Sequence, residues 1–206
     1  DAVLHPMIYH EEKIFRQEGW HYELESPEDP LTINGVVYNE MKGAFSSPDE
    51  ILGRSCQASP FPDIPYRNEP GGAPADIPSL TYENFLNFHR TYYHPSNSYI
   101  YLYGDMDMEE RLQWMDEEYL SHYDRITVDS EIPLQPAFDA PREFVKEYPL
   151  PEGDSEDGKF WFARQWVVGE NTDPVLRTAF QVLEYALLGF QGAPLKQALL
   201  DAGIGG

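Results

Sequence analysis

The sequence predicts a fold that mixes α-helices with β-strands, on three observations. Apolar residues recur at helical spacing in several segments, and residues 82–93 have the clearest apolar face. Residues 20–24 alternate between apolar and polar side chains, as in a half-buried strand. Residues 99–103 (YIYLY) are apolar on both faces, which is typical of an interior strand. The short spacing between helices and strands does not establish a parallel sheet.

The composition describes an acidic chain with enough apolar residues for a core. Of 206 residues, 41% are hydrophobic, and the formal net charge is -22. This charge opposes binding to phosphate backbones, so we expect no nucleic-acid partner. No apolar run approaches the roughly 20 residues that span a bilayer, and no leader is visible, so we expect no membrane association. The single cysteine, Cys56, excludes an intramolecular disulfide and fits a reducing compartment.

The elements of the N-terminal part follow from start and stop signals. Residues 1–14 suit a helix, which leads into the strand near residue 20. Residues 35–45 are predicted as a second helix. A third is predicted at 48–58, because the preceding Ser is a good N-cap and Pro favours the first helical position. The Pro- and Gly-rich stretch 61–79 is predicted as a loop.

After this loop, Thr81 is predicted to cap the helix over 82–93, which His94-Pro95 ends. The interior strand 99–103 follows, and then a helix over 108–123. From 124 to 157 the sequence turns to Pro, acidic residues and short alternating pieces, which favours a domain boundary.

Beyond that boundary three further elements are predicted. Residues 160–168 have the pattern of a strand, residues 174–188 that of a helix ended by a glycine, and residues 194–202 that of a second helix. This segment is expected to be the opening of another domain.

Glu40 is the most informative residue of the 35–45 helix. At about 100° per residue it falls between Val36 and Ala44 on an apolar arc, whereas Lys42 faces elsewhere. A carboxylate that points into a protein interior is costly unless it is paired, hydrogen-bonded, neutralised or bound to a metal. The residues alone leave three roles open for Glu40: metal or catalytic chemistry, a structural ion pair, or an edge position that reaches water.

The histidines do not complete a metal site by their spacing. His5 and His10 lie about 140° apart on a helix and so share no face. Residues 10–14 open like a zincin motif, but Ile14 stands where the second histidine belongs. Neither H-E-x-x-H nor H-x-x-E-H occurs in the sequence. We interpret the remaining histidines as surface or hydrogen-bonded residues: His21, His89, His94 and His122.

A family resemblance adds what spacing does not provide. Residues 35–43 (GVVYNEMKG) closely resemble the distal-ligand helix of the presequence protease-like branch of the pitrilysin/insulinase zinc metalloendopeptidase family. Further motifs of that branch occur in the expected order and cover about residues 15–105: QEGW at 17–20, GGxPxxIPxLT at 71–81, YHPSN at 93–97 and YG at 103–104.

The resemblance implies an α+β fold with a largely antiparallel sheet backed by helices, of the mitochondrial processing peptidase-like type and here incomplete. It implies that residues 1–125 are the C-terminal part of a catalytic metallopeptidase domain. Residues 126–158 are then a connector, and residues 159–206 are the start of a non-catalytic sister domain.

For chemistry, the resemblance implies a parent protein that cleaves short or unstructured peptides with zinc-activated water. In that family H-x-x-E-H supplies two zinc ligands and a general base, and a distant glutamate completes the protein ligands. Only that glutamate maps here, onto Glu40, as a metal ligand. We therefore expect an internal fragment without catalytic residues of its own, inactive and binding zinc weakly at most. No substrate-binding residue is identified.

The implied partners are peptide substrates and the remaining domains of the same parent chain, in a soluble intracellular setting such as the bacterial cytoplasm or an organelle matrix. Two alternatives stay open. One is a degenerate family member that acts as a non-catalytic interaction subunit. The other is an unrelated acidic binding domain in which Glu40 forms a buried ion pair.

Overall fold

The computed structural model describes residues 2–204, and contacts divide the chain into two units, one ending at Ala163 and one beginning at Arg164. The helices and strands of the described residues are α1 (Glu12–Glu18), β1 (His21–Glu23), β2 (Thr32–Asn34), α2 (Val36–Ala44), α3 (Pro48–Ala58), α4 (Tyr82–Tyr92), α5 (Met108–Glu118), α6 (Pro174–Leu188) and α7 (Pro194–Asp201). Single 3-10 turns lie at Met7–Tyr9, Pro65–Arg67, Ile77–Ser79, Pro95–Asn97 and Leu120–His122.

β1 and β2 form a two-stranded antiparallel sheet, in which Tyr22 lies opposite Ile33. The strand expected at residues 20–24 is therefore present in its central part. The mixture of helix and strand is confirmed, but within residues 2–204 the sheet has these two strands alone and helices dominate.

The core of the first unit is small and lies between α1, α2 and the loop that leads to α4. Four buried side chains form it, and further half-buried side chains pack around them: Phe15, Trp20, Met41 and Ile77 inside, with Ile33, Tyr38, Phe45 and Tyr82 around them. The indole of Trp20 donates a hydrogen bond from Nε1 to the Leu80 carbonyl over 2.9 Å. The ring is thus buried while its polar atom is satisfied.

Two helix starts follow the predicted capping chemistry. At α3, whose bounds match the prediction, the Ser47 hydroxyl accepts from the Glu50 amide, and Pro48 is the first helical residue. At α4 the Thr81 hydroxyl accepts from the Asn84 amide over 3.1 Å, and the Asn84 side chain accepts from the Thr81 amide over 3.0 Å. This reciprocal pair is a capping box with Asn in the place usually taken by Glu or Gln.

Two predicted helices are shorter than expected. The helix over 1–14 is wrong for most of its length, because α1 begins only at Glu12 and a 3-10 turn precedes it. Pro6 has no amide hydrogen and disfavours helical geometry in the residue before it, so the chain does not enter a helix there. Residue 1 lies outside the described residues. The helix over 108–123 is divided into α5 and the turn Leu120–His122.

The interior strand predicted at residues 99–103 is not formed. Tyr99, Tyr101 and Tyr103 are 105%, 85% and 84% exposed, and within residues 2–204 the segment pairs with no strand. The strand predicted at 160–168 is likewise unpaired and exposed. A strand is defined by a hydrogen-bonded neighbour, and an apolar pattern does not guarantee that the described residues supply one.

Two hydrogen bonds hold the segment after the turn Leu120–His122 to the turn Pro95–Asn97. The Ile126 amide donates to Ser96 Oγ over 3.2 Å, and the Ser130 hydroxyl donates to Asn97 Oδ1 over 2.6 Å. The serine and asparagine of the YHPSN motif therefore anchor the start of the predicted connector.

The second unit consists mainly of α6 and α7, which pack against each other. The bounds of α6 match the prediction, and α7 ends one residue earlier than expected. Asp173 caps α6, since its carboxylate accepts from the amides of Val175 (3.0 Å) and Leu176 (2.9 Å). No helix in residues 2–204 is long and apolar enough to cross a bilayer.

Candidate functional site

Glu40 lies in the second turn of α2, and its side chain is exposed. Among the described residues its carboxylate has neither a hydrogen bond nor an ion pair. The face that it shares with Val36 and Ala44 is the solvent side of the helix, as the 53% exposure of Val36 indicates. The apolar arc that carries Glu40 is therefore not buried among the described residues, and of the roles that the residues alone left open, an edge position that reaches water matches this exposure.

The buried face of α2 lies on the other side of the helix. Met41 is 7% exposed and belongs to the core, and Tyr38 and Phe45 pack against that core. These positions are three and four residues apart, which places them on one face. The helix thus buries its aromatic and Met side chains and presents Glu40 outward.

The QEGW segment fixes the start of α2 through backbone contacts. Gly35 has a φ of +152°, and a Cβ there would lie 2.3 Å from the Gly19 carbonyl oxygen and 2.7 Å from Trp20 Cα. The Tyr38 amide donates to the same Gly19 oxygen over 3.3 Å. Because no side chain fits between them, the first turn of α2 lies directly on the backbone of residues 19–20.

The Gly71-Gly72 turn covers the buried face of α2. A Cβ on Gly71 would lie 2.3 Å from the Met41 sulfur. Gly72 has a φ of +86°, and a Cβ there would lie 2.9 Å from Ile77 Cγ1. Three of the motifs that carry the family resemblance, QEGW, GVVYNEMKG and the Gly-Gly segment, therefore meet around α2.

Asn39, the neighbour of Glu40, takes part in the support of the helix. Its side-chain amide donates to Asn34 Oδ1 over 2.5 Å, and the same oxygen accepts from the Gly35 amide over 2.7 Å. Asn34 in turn donates to Glu23 Oε2 over 2.7 Å, across the β1–β2 pair. Asn39 thus links α2 to the hairpin, on a side of the helix away from Glu40.

Several histidines have hydrogen bonds to other parts of the chain. His89 Nε2 donates to the Val3 carbonyl over 2.8 Å, so Nδ1 is free to accept from the Tyr9 hydroxyl over 2.7 Å. Both ring nitrogens are then occupied by protein partners. The other hydrogen bonds are from His21 Nδ1 to Arg16 O (2.8 Å), from Ser96 N to His94 Nδ1 (3.1 Å) and between Tyr123 and His5 Nε2 (3.2 Å).

The Glu40 carboxylate fits the role of one ligand of a zinc site. Within residues 2–204 no group of three or more His, Cys, Asp or Glu side chains could hold a metal ion. Protein zinc sites use three or four protein ligands, and carboxylate oxygen is among them. Glu40 has the required donor, no competing cation among the described residues, and a helix that is contacted closely by the backbone at Gly19 and at Gly71. It can serve as one ligand when others are brought to it.

Arg54, which no sequence pattern singles out, joins three segments near the end of α2. Its Nη1 forms an ion pair with Glu69 in the 61–79 loop, and its Nη2 lies 3.7 Å from Glu50 Oε2. Its guanidinium carbon lies 4.8 Å from the centroid of the Phe45 ring. The hydrogen bond with Glu69 raises the pKa of Arg54 above its usual value, although burial opposes this shift. The four-residue spacing of Glu50 and Arg54 predicts an ion pair on one helix face, but the sequence does not indicate that Glu69 in the loop is a second partner.

Comparison with known proteins gives a family match and several close relatives. Residues 79–205 match the family model described as the peptidase M16 inactive domain. Protein HypA of Clostridium perfringens is 50% identical over 205 residues, which cover 100% of this chain and 21% of that protein. Presequence protease 1, chloroplastic/mitochondrial, of Arabidopsis thaliana is 40% identical over 100% of this chain and 19% of that protein.

The mitochondrial presequence protease of Mus musculus is 35% identical over 209 residues, which cover 100% of this chain and 20% of that protein. The chain thus spans about a fifth of the length of the curated relatives that it matches.

Proposed function

We propose that this chain, which belongs to the peptidase M16 family, is part of a zinc metalloendopeptidase and contributes Glu40 as a ligand of the metal. The longer polypeptide cleaves short or unstructured peptides. Two histidine ligands and the general base come from an H-x-x-E-H motif elsewhere in that polypeptide, since the motif is absent from these 206 residues.

The observation that carries this proposal is the setting of the Glu40 carboxylate. It is exposed and unpaired within the described residues, while the helix that bears it is fixed by the backbone of Gly19 and by the Gly71 turn. A carboxylate with no protein partner on a well-supported helix is available to a metal without breaking an existing contact. Rigid support of this kind also limits the geometry in which the ligand meets the ion.

A zinc ion held there would supply Lewis-acid activation of water and polarise the peptide carbonyl. Glu40 itself contributes negative charge and one fixed oxygen. Asn39 supports the helix through Asn34 and leaves the Glu40 face open.

We extend the proposal to architecture and setting. Residues 1–125 are assigned to the later part of the catalytic domain, 126–158 to a connector and 159–206 to the start of a sister domain. A largely antiparallel sheet backed by helices forms when the remaining domains of the same chain are present. The names of the plant and animal relatives place those proteins in mitochondria or chloroplasts, which supports an organelle matrix or bacterial cytoplasm here.

The central test removes the ligand charge by Glu40→Gln in the longer polypeptide. We expect the zinc content, measured by elemental analysis, to fall well below one ion per chain. We expect the rate of cleavage of a short unstructured peptide to fall by more than the roughly 10–100-fold that supporting residues of metal sites cost. Unchanged zinc content together with an unchanged rate would overturn the assignment.

Glu109→Gln is the matched control for that test. It removes the same charge from another exposed helical glutamate, in the first turn of α5. We expect zinc content and rate to stay at their wild-type values, so an equal loss in both variants would indicate a general effect of charge.

A second prediction concerns these 206 residues alone. One carboxylate is not a site, and within residues 2–204 no group of three or more His, Cys, Asp or Glu side chains could hold a metal ion. Calorimetric titration with zinc should therefore show weak binding that Glu40→Gln scarcely changes, and no peptidase activity. Tight stoichiometric binding would contradict this expectation.

A non-catalytic family member is the second candidate, favoured by one specific observation. The family model that matches residues 79–205 is described as an inactive domain. The sequence of the longer polypeptide discriminates, because loss of either histidine or of the glutamate of H-x-x-E-H would decide for an interaction subunit. An unrelated acidic domain with a buried Glu40 ion pair is excluded by the family match and by the exposure of Glu40.

A further inference from the structure

Arg54 is placed where α2, α3 and the 61–79 loop come together. From α3 its guanidinium reaches Phe45 at the end of α2, Glu50 one turn earlier in its own helix, and Glu69 in the loop. A guanidinium offers a planar face for an aromatic ring and several donors at its edge, so one side chain can hold all three. An exposed helical ion pair such as Arg16–Glu12, by contrast, links residues within one element.

The network is partly protected from water. The side chains of Arg54 and Glu69 are 23% and 16% exposed. Arg54 Nε is buried and finds no acceptor among the described residues. A buried donor without a partner costs stability, and an apolar side chain here would avoid that cost.

Two of the three contacts of Arg54, those with Phe45 and Glu69, lead to the helix that carries Glu40. Phe45 follows the last turn of α2 and packs on the core. Glu69 lies two residues before Gly71, whose backbone abuts the side chain of Met41, the neighbour of Glu40. Arg54 thus restrains the end of α2 directly and its buried face through the loop.

We propose that Arg54 is a positioning residue for the Glu40 carboxylate. By holding Phe45 and Glu69 together, it keeps the buried face of α2 packed against the core and the Gly71-Gly72 turn, and so sets where Glu40 meets the metal. This inference rests on the proposed function in so far as it concerns zinc. The contacts of Arg54 with Phe45 and Glu69, which we call the clamp, do not involve the metal. Their effect on α2 is therefore measured separately.

The test uses the longer polypeptide with Arg54→Gln, Glu69→Gln and Arg54→Lys. For Arg54→Gln and Glu69→Gln we expect the zinc dissociation constant, measured by competition with a chelator, to rise about tenfold, as for residues that orient ligands. We expect kcat to fall with KM little changed, because the substrate is not touched. Arg54→Lys keeps the charge but loses the planar fork, so its values should lie between wild type and Arg54→Gln.

Arg90→Gln is the matched control. Arg90 also forms an ion pair, with Glu83 at 3.1 Å, and its guanidinium also lies over an aromatic ring, that of Tyr9 at 5.3 Å. It belongs to α4, and among the described residues its ion pair, hydrogen bonds and ring contact are with Glu83, Asn87 and Tyr9, which lie outside α2 and the loop. Its zinc affinity and kcat should equal those of the wild type.

Hydrogen exchange of the zinc-free protein separates the two proposals. Arg54→Gln should speed amide exchange in α2 and in residues 69–72 but not in α4, whatever the metal does. If exchange in α2 and the zinc dissociation constant stay within twofold of wild type in Arg54→Gln and Glu69→Gln, the clamp is refuted. An equal effect of Arg90→Gln would also refute it.

Should Arg54→Gln fail to fold, Glu69→Gln and Arg54→Lys decide by the same criteria. Unchanged zinc content and an unchanged rate in Glu40→Gln, together with faster α2 exchange in Arg54→Gln, would refute the ligand assignment but not the effect of Arg54 on α2.

Discussion

At the scale of single residues, Gly35 has no space for a side chain beside the backbone of residues 19–20. Its φ of +152° and the 2.3 Å approach of a Cβ to the Gly19 carbonyl oxygen leave no room for Ala without movement of the backbone. Such strain costs of order 1–3 kcal/mol. We expect Gly35→Ala in the longer polypeptide to lower the free energy of unfolding by about that amount, as measured by chemical denaturation, and to reduce zinc content because the start of α2 must shift.

Gly43 provides the control within the same helix. A Cβ there would meet no atom within 4 Å, and Ala is preferred over Gly in a helix interior by roughly 0.5–1 kcal/mol. Gly43→Ala should therefore leave the free energy of unfolding unchanged or raise it. If Gly35→Ala and Gly43→Ala destabilise the protein to the same extent, then any methyl group added to α2 is destabilising. The close contact at Gly35 would then not be the specific cause.

At the scale of elements, the sequence predicts best those helices whose ends carry their own chemistry. The bounds of α3 and α6 match the prediction because a side-chain cap and a proline begin each of them, and α2 differs by one residue at each end. Where the signal is only a run of apolar residues, as at 99–103 and 160–168, the expected strand is absent, because a strand depends on a neighbour that local sequence does not describe.

The candidate site shows the same limit. Periodicity placed Glu40, Val36 and Ala44 on one face of α2, but it did not tell which face is buried. The buried face of α2 is determined by residues that are distant in sequence. Gly19 and Gly71 lie against the side of the helix opposite Glu40. The Arg54–Glu69 pair was unpredictable for the same reason, since the loop has no period from which its partner could be inferred.

At the scale of the whole molecule, residues 99–103 present an unpaired and largely aromatic segment. The rings of Tyr101 and Tyr103 are parallel with centroids 6.5 Å apart, and both side chains are more than four-fifths exposed. Extended apolar segments with free backbone groups associate edge to edge. We expect the 206-residue chain alone to self-associate, and Tyr101→Lys to raise the monomer fraction in sedimentation velocity, because a lysine opposes strand addition.

Tyr185→Lys adds the same charge at another exposed tyrosine, 63% exposed on α6, where the backbone is already hydrogen-bonded within the helix. It should change the monomer fraction much less, and an equal gain in both variants would point to general charge repulsion.

In the longer polypeptide we expect Tyr101→Lys to be unfavourable. If residues 99–103 become an interior strand of the proposed sheet, the lysine is buried against neighbouring strands and must lower the midpoint of thermal unfolding, whereas Tyr185→Lys should lower it less. A Tyr101→Lys protein as stable as the wild type would place the segment outside any sheet.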